Sequence, residues 1–216
     1  MLMVMAHPDD EILFGWPIFQ RGDINKILLC CSTDENNPSR AWCSHRKNAM
    51  AEVCQTVGCK LFTIPAPSEF YKLNSRRQPG TNKDEIGDAT SQIRIFKRAV
   101  KTSIDKICDS ENVDYIFTHN VYGEYGHEDH KLISRLVFEA SDVPIVYSDI
   151  RLPTNWDSCE EPDRLQKIFF KRKIETRQKR DDDLFEKLKA LYVRDGVWTW
   201  SRDESLFSEC NIYVND

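Results

Sequence analysis

The chain is expected to fold as an α/β protein, a mostly parallel Rossmann-like sheet with helices on both faces and a metal site at the C-terminal strand ends. Three observations predict this. Short apolar runs alternate with longer helical patterns along the 216 residues, as strand–helix–strand units of a parallel sheet require. The two segments densest in imidazole and carboxylate, HPDDE at 7–11 and HEDH at 127–130, each follow a short apolar stretch, and in open parallel sheets ligands collect at the carboxyl ends of strands. No internal repeat and no Gly/Ser linker interrupts the chain, so a single domain over 1–216 is expected.

The elements follow in order. Leu2–Ala6 reads as a strand, and about Glu11–Gln20 as a helix broken by Pro17 and closed by Gly22. Lys26–Cys31 is a second strand, and 32–39 (STDENNPS) a loop of strong turn formers. Ser44–Val57 reads as a helix with Gly58 just past its last turn. Lys60–Ile64 is a short strand before Pro65 and Pro67, and Phe70–Asp88, poor in periodicity, a long loop over the crevice. Ser91–Cys108 carries Ile93, Phe96, Val100, Ile104 and Ile107 at helical spacing. Strands at Tyr115–Thr118 and Ile145–Tyr147 flank a helix that opens at Gly126–Asp129 and runs through Leu132, Ile133, Leu136 and Val137. Asp181–Tyr192 reads as a capped helix with Leu184, Phe185, Leu188 and Leu191 inward. The basic run from 167, neutralised by Asp181–Asp183, reads as a solvated face.

Bulk properties narrow the function. A net charge of −5 gives nucleic-acid binding little electrostatic support. The eight cysteines are scattered with no CxxC pair, which suits free thiols in a reducing, cytoplasmic compartment better than a disulfide scaffold. Cys30 and Cys31 are expected to pack as small apolar residues. The first residues already form a strand, which leaves no room for a signal peptide, and no stretch approaches the roughly 20 apolar residues of a membrane span.

The run AHPDDE at 6–11 places His7, Asp9, Asp10 and Glu11 in five residues behind a buried strand. Crowded carboxylates at such a position are costly unless something compensates their charge. By itself the run suits a helix cap or a metal site equally. The second cluster, YGEYGHEDHKLIS at 122–134, tips the balance. His127 and His130 are three residues apart, so on a helix they share a face at the mouth of a strand. Two strand ends bearing His and Asp can meet in one crevice, and two imidazoles with one carboxylate meet the demand of a catalytic zinc that keeps one position open.

On these motifs the chain resembles the zinc-dependent N-deacetylases of the PIG-L/LmbE family, which act on N-acetylglucosamine-containing substrates. The resemblance rests on AHPDDE, on STDE at 32–35, on Arg46 before an alanine-rich helix ending at Gly58, and on THNVYGEYGHEDH at 118–130. It covers about the first two-thirds of the chain. It implies His7, Asp10 and His130 as metal ligands and Asp9 as general base. It further implies His127 as cationic partner of the developing oxyanion, Tyr125 as a mobile hydroxyl near the substrate carbonyl, and Asp129 as the group orienting His127 or the base. Arg46 is expected to contact substrate, its alternative being a pair with a nearby acid. Glu128 stands where the family usually has proline, and Ala49 where a helix glutamate usually follows the arginine.

The chemistry needs these residue types. Zinc brings the pKa of bound water to about 7 and polarises a carbonyl; a placed carboxylate then takes the water proton, and a donor stabilises the oxyanion. Adjacent Asp9 and Asp10 must point in different directions to serve as base and ligand. Iron or another divalent ion satisfies the same ligand types. The expected substrate is a small amino-sugar conjugate, and self-association is left open. Two alternatives stand beside this reading: an amidase for a different acyl or thiol-sugar conjugate, and a metal-stabilised sugar-binding protein without turnover, against which the retained Asp9 argues. Several residues receive lesser roles: Glu11 as helix N-terminal cap, His119 as a hydrogen-bonding group near the site, Asn36 and Asn37 as turn formers, His45 and Cys43 as incidental neighbours. Trp198 and Trp200 are read as core or interface at least as readily as a sugar platform.

Overall fold

The computed structural model describes residues 1–32, 41–65, 83–152, 172–198 and 200–215. The expected turn at 33–39 with Asn36 and Asn37, the loop from 70 to 82, Cys159 and the side chain of Cys43 lie outside the described residues. The elements are β1 (Leu2–Met5), α1 (Asp10–Leu13), α2 (Trp16–Phe19), β2 (Lys26–Ser32), α3 (Ala41–Val57), β3 (Lys60–Pro65), α4 (Lys83–Glu111), β4 (Ile116–Thr118), α5 (Gly123–Gly126), α6 (Glu128–Ala140), β5 (Ile145–Ser148), β6 (Arg172–Lys179), α7 (Asp182–Arg194) and β7 (Glu209–Asn215).

Seven strands form one sheet in the order β3-β2-β1-β4-β5-β7-β6. The first five are parallel to their neighbours, while β7 runs antiparallel to both β5 and β6. The α/β expectation with a mostly parallel sheet therefore holds. β1 is central and buried on both faces, which explains its unbroken apolar sequence. Its side chains alternate: Met3 and Met5 join a core with α1, α2, α3 and α7, whereas Leu2, Val4 and Ala6 join one with α4 and α6. In β2 the alternation slips after Leu29, where the pairing with β3 shifts register, and Cys30 and Cys31 both fall on the α4/α6 side.

The chain winds from β1 outward through β2 and β3 and then returns to place β4 on the other flank of β1. Strand order reverses at that pair, so a crevice opens at the carboxyl ends of β1 and β4. Both clusters foreseen from the motifs emerge there.

Three local expectations change. The helix read over 11–20 is two four-residue helices, and Pro17 sits in the first turn of α2 rather than breaking anything. The break falls at Gly15, where an added Cβ would run into the Glu11 backbone carbonyl and, behind it, the Met3 side chain. α4 begins at Lys83, taking in six residues assigned to a loop; once a helix is nucleated, extension adds a hydrogen bond per residue even through polar sequence. β7 was not foreseen, although Cys210, Ile212 and Val214 alternate inward. α7 runs to Arg194 with Asp181 capping it, and its buried residues are Phe185, Leu188 and Tyr192. Leu184 and Leu191 pack at the margin of the core. Of the run from 167 read as a solvated face, residues 167–171 lie outside the described residues, and β6 is mostly exposed with none of its residues buried.

Candidate metal centre

β1 ends at Met5 and leads through Ala6 to His7, and a tight turn through Pro8 delivers Asp9 and Asp10 to the start of α1. The Asp10 carboxylate turns back to accept the His7 N–H at 2.7 Å. From β4, a segment through His119 and Asn120 leads into α5, a strained turn in which Glu124 has φ 52° and ψ −60°. His127 then caps α6, its Nδ1 accepting the Asp129 N–H at 3.2 Å, and places His130 in the first turn.

The two strand ends meet. His7 Nδ1, Asp10 Oδ2 and His130 Nε2 form a triangle with edges of 3.4, 3.3 and 3.3 Å. Donors about 2 Å from a tetrahedral ion sit roughly 3.3 Å from one another, so these three atoms fit a divalent cation such as zinc. The far nitrogen of each imidazole is held by a carboxylate: His7 Nε2 by Asp129 Oδ2 at 3.0 Å, and His130 Nδ1 by Glu124 Oε2 at 2.7 Å. That arrangement fixes ring orientation and directs the other nitrogen's lone pair to the shared point. Among the described residues, His7–His127–His130, His7–Cys31–Asp129 and Asp10–His119–His130 also bring donors close together. His119 is disfavoured as a ligand because its Nε2 accepts the Ala6 N–H at 3.0 Å while Nδ1 donates to Glu124. Its neighbouring carboxylates favour a charged ring, but the Ala6 bond needs a lone pair on Nε2, and we assign the neutral form. Hydrogen bonding near the site was the role foreseen for it.

The electrostatics suit a cation. Burial alone would depress His7, yet Asp10 and Asp129 hold its pKa up at about 9. Burial opposes ionisation of Asp10, but His130 foremost, and His7 with it, overrule it and keep the carboxyl well below the usual range. Glu124 behaves alike: burial raises it, and His119 and His130 bring it down to about 2. The pocket thus carries carboxylate charge and draws positive charge inward.

Asp9 takes a separate direction. Its backbone is left-handed, φ 92°, which a non-glycine residue adopts only when its surroundings enforce it. Its Oδ2 lies 2.7 Å from the Arg46 guanidinium, which also donates to the Pro8 carbonyl. Burial pushes the Asp9 carboxyl up to about 6, with Arg46 opposing. Arg46 thus makes the pair with a nearby acid that was one of its two expected roles.

Other positions differ from expectation. His127 was to be cationic, but burial and the adjacent His130 and His7 lower its pKa to about 3, so it is a neutral ring whose Nδ1 is an acceptor. Asp129 was to orient His127 or the base; its carboxylate instead orients His7, and only its backbone N–H meets His127. Glu11 caps the α1 terminus as expected, its Oε2 accepting the N–H of the N-cap Asp9 at 2.9 Å; beyond that expectation it is fully buried, and its Oε1 accepts the Tyr192 hydroxyl at 2.5 Å. Tyr125 packs between Phe14, His130 and Trp200, with the Arg202 guanidinium 5.1 Å over its ring. Burial first, then Asp10 and Asp9, hold its phenol protonated. Trp198 packs against Phe185 and Tyr192, while Trp200 lies partly buried beside Tyr125. Glu124 and Tyr192 received no role from sequence; a glutamate bracketed by Gly123 and Gly126 just ahead of two histidines was the available signal for the first.

Fold and site together define a Rossmann-like α/β protein with a candidate cation site, built of His and Asp donors, at its strand-order switch. The chain belongs to the PIG-L family: the family model described as GlcNAc-PI de-N-acetylase matches residues 2–141. A relative, uncharacterized protein L374 of Acanthamoeba polyphaga mimivirus, is 22% identical over 152 residues, 64% of this chain. The match spans 56% of that relative, just over half its length. Among solved structures, the zinc-inhibited form of teicoplanin deacetylase Orf2 superposes with a TM-score of 0.63 at 12% identity, covering 99% of this chain and 96% of that one. The A40926 pseudoaglycone deacetylase Dbv21 gives 0.61 at 14% identity with the same coverage. These likenesses establish the shared fold. No helix among the described residues is long and apolar enough to cross a membrane.

Proposed function

We propose that the protein is a zinc-dependent hydrolase that removes the N-acetyl group from an N-acetylglucosamine-type sugar conjugate, yielding acetate and a free amine. The observation that carries this reading is the separation of two adjacent aspartates: Asp10 closes the 3.3–3.4 Å donor triangle with His7 and His130, while Asp9 turns away to Arg46. A binding protein needs the triangle but has no use for a second, diverging carboxylate. Membership of a family described by GlcNAc-PI de-N-acetylase and a fold shared with two antibiotic deacetylases support the substrate class.

His7 through Nδ1, Asp10 and His130 through Nε2 would hold the metal. Bound there, a divalent cation supplies acidification of water and polarisation of the acyl carbonyl. Asp9 takes the proton of the attacking water, and Arg46 keeps Asp9 ionised and aimed. As the carbonyl carbon becomes tetrahedral, negative charge grows on its oxygen. His127 donates to it from Nε2–H as a neutral imidazole, since its Nδ1 is committed to Asp129 N–H. The Tyr125 hydroxyl is a second donor. Asp9 then returns its proton to the departing nitrogen. The scattered cysteines, read as free thiols, support a cytoplasmic setting for the reaction.

The test is acetate release from a panel of N-acetylated sugar conjugates, lipid-free and nucleotide-linked, by metal-free and zinc-reconstituted protein. Turnover only after reconstitution, and loss of metal by elemental analysis in His130→Ala, is the expected result. Zinc retention by His130→Ala, or no release from any conjugate by loaded protein, overturns the proposal.

A further inference from the structure

The family match ends at residue 141, yet a residue 183 positions from Asp9 touches its main chain. The Asp9 N–H points at Tyr192 Oη, 3.0 Å away, and at Glu11 Oε2, 2.9 Å away; the Tyr192 hydroxyl donates in turn to Glu11 Oε1 at 2.5 Å. All three residues are buried. The hydroxyl thus donates once and accepts once, and each Glu11 oxygen accepts.

From this closed set of bonds, and resting on the hydrolase reading above, we propose that Tyr192, directly and through Glu11, is a positioning residue that holds Asp9 in its left-handed conformation so that its carboxylate diverges from that of Asp10. At φ 92° and ψ −23° the Asp9 backbone is one that L-residues avoid unless held. An ordinary negative φ would swing the Asp9 side chain relative to Asp10, which is tied to His7 N–H and His130. Asp9 would then lose its approach to Arg46 and to the reacting water. α7 lies against α3 and α1, so the C-terminal part of the chain supplies the support that the motif residues cannot give themselves. The competing account is that Tyr192 only satisfies a buried glutamate, its ring packing on Trp198.

Tyr192→Phe keeps the ring and removes the hydroxyl, and Glu11→Gln keeps the volume and alters the acceptor. Each is compared with wild type, metal-loaded, for kcat per bound metal, KM, metal content, and deuterium exchange of the Asp9 amide. The expected result is a fall in kcat of about 10- to 100-fold, with KM and metal content unchanged and faster exchange at Asp9. A purely structural tyrosine would lower the melting temperature while leaving kcat per bound metal within twofold, and that result overturns the proposal. If wild type itself hydrolyses no conjugate, the functional reading fails separately. Amide exchange then still decides: protection at Asp9 as strong in Tyr192→Phe as in wild type refutes the positioning role, and lost protection upholds it.

Discussion

His130 Nδ1–H donates to Glu124 Oε2 across 2.7 Å, and the same oxygen receives His119 Nδ1–H at 3.0 Å. One buried carboxylate therefore sets the tautomer of two stacked imidazoles whose centroids lie 3.9 Å apart. Its other oxygen accepts the Asn120 N–H at 3.0 Å, which ties it to the chain leaving β4. Glu124→Ala is expected to weaken metal affinity by about 10- to 100-fold, read by competition with a chelator. An unchanged affinity would mean that His130 needs no such support. The sign of the pH effect follows from the lowered Glu124 carboxyl. Its contribution to stability is present above pH 4.5 and disappears as pH falls toward 2, so metal-free wild type should lose more stability over that window than Glu124→Gln.

Asp9→Asn preserves volume and the Arg46 neighbourhood while removing the base. Turnover should fall by about 10²–10⁴-fold with zinc stoichiometry intact. Metal lost in step with activity would instead make Asp9 a ligand.

Arg46 holds down the Asp9 carboxyl, which burial has pushed up to about 6. Arg46→Gln removes that restraint, so Asp9 should ionise only at higher pH. Since the ionised form is the base, the acid limb of kcat/KM against pH should move upward. A limb that stays in place separates Arg46 from the ionisation of Asp9.

Tyr125→Phe removes a hydroxyl that burial keeps protonated. The rate should drop by about 100- to 1000-fold, the range for losing one oxyanion donor, with metal content unchanged. A rate equal to wild type rules the hydroxyl out of the reaction.

Phe207 is fully buried among Phe14, Phe185 and Trp200, the aromatic cluster beneath the Tyr125 side of the site. Phe207→Ala should cost about 3–5 kcal/mol of folding stability, measured by denaturant titration. A loss below 1 kcal/mol would show that this cluster closes over the cavity without penalty.

Much of the architecture was legible because parallel strands buried on both faces must be continuously apolar and the helices between them must be amphipathic. β1, β2 and β4 and the helix carrying His130 follow from such patterns almost to the residue. Boundaries that depend on contact with something else did not. The first helix breaks at Gly15, where the Glu11 carbonyl and the Met3 side chain leave no room for a Cβ, and β7 pairs between β5 and β6 because the parallel sheet leaves β5 with a free edge. The motifs also brought forward the histidines and aspartates of the site, since only a few side chains bind cations and they stood crowded at strand ends.

By itself, then, the order of residues determined which groups reach the crevice: His7, Asp9 and Asp10 from one strand end, His127, Asp129 and His130 from the other. Tertiary structure alone decided what each one faces. Asp129 meets His7 rather than His127, His127 is left neutral, and Asp9 is clasped by Glu11 and Tyr192. The physical reason is range. Strand and helix periodicities are local, whereas the orientation of His7 and part of the hold on Asp9 come from partners 122 and 183 positions away.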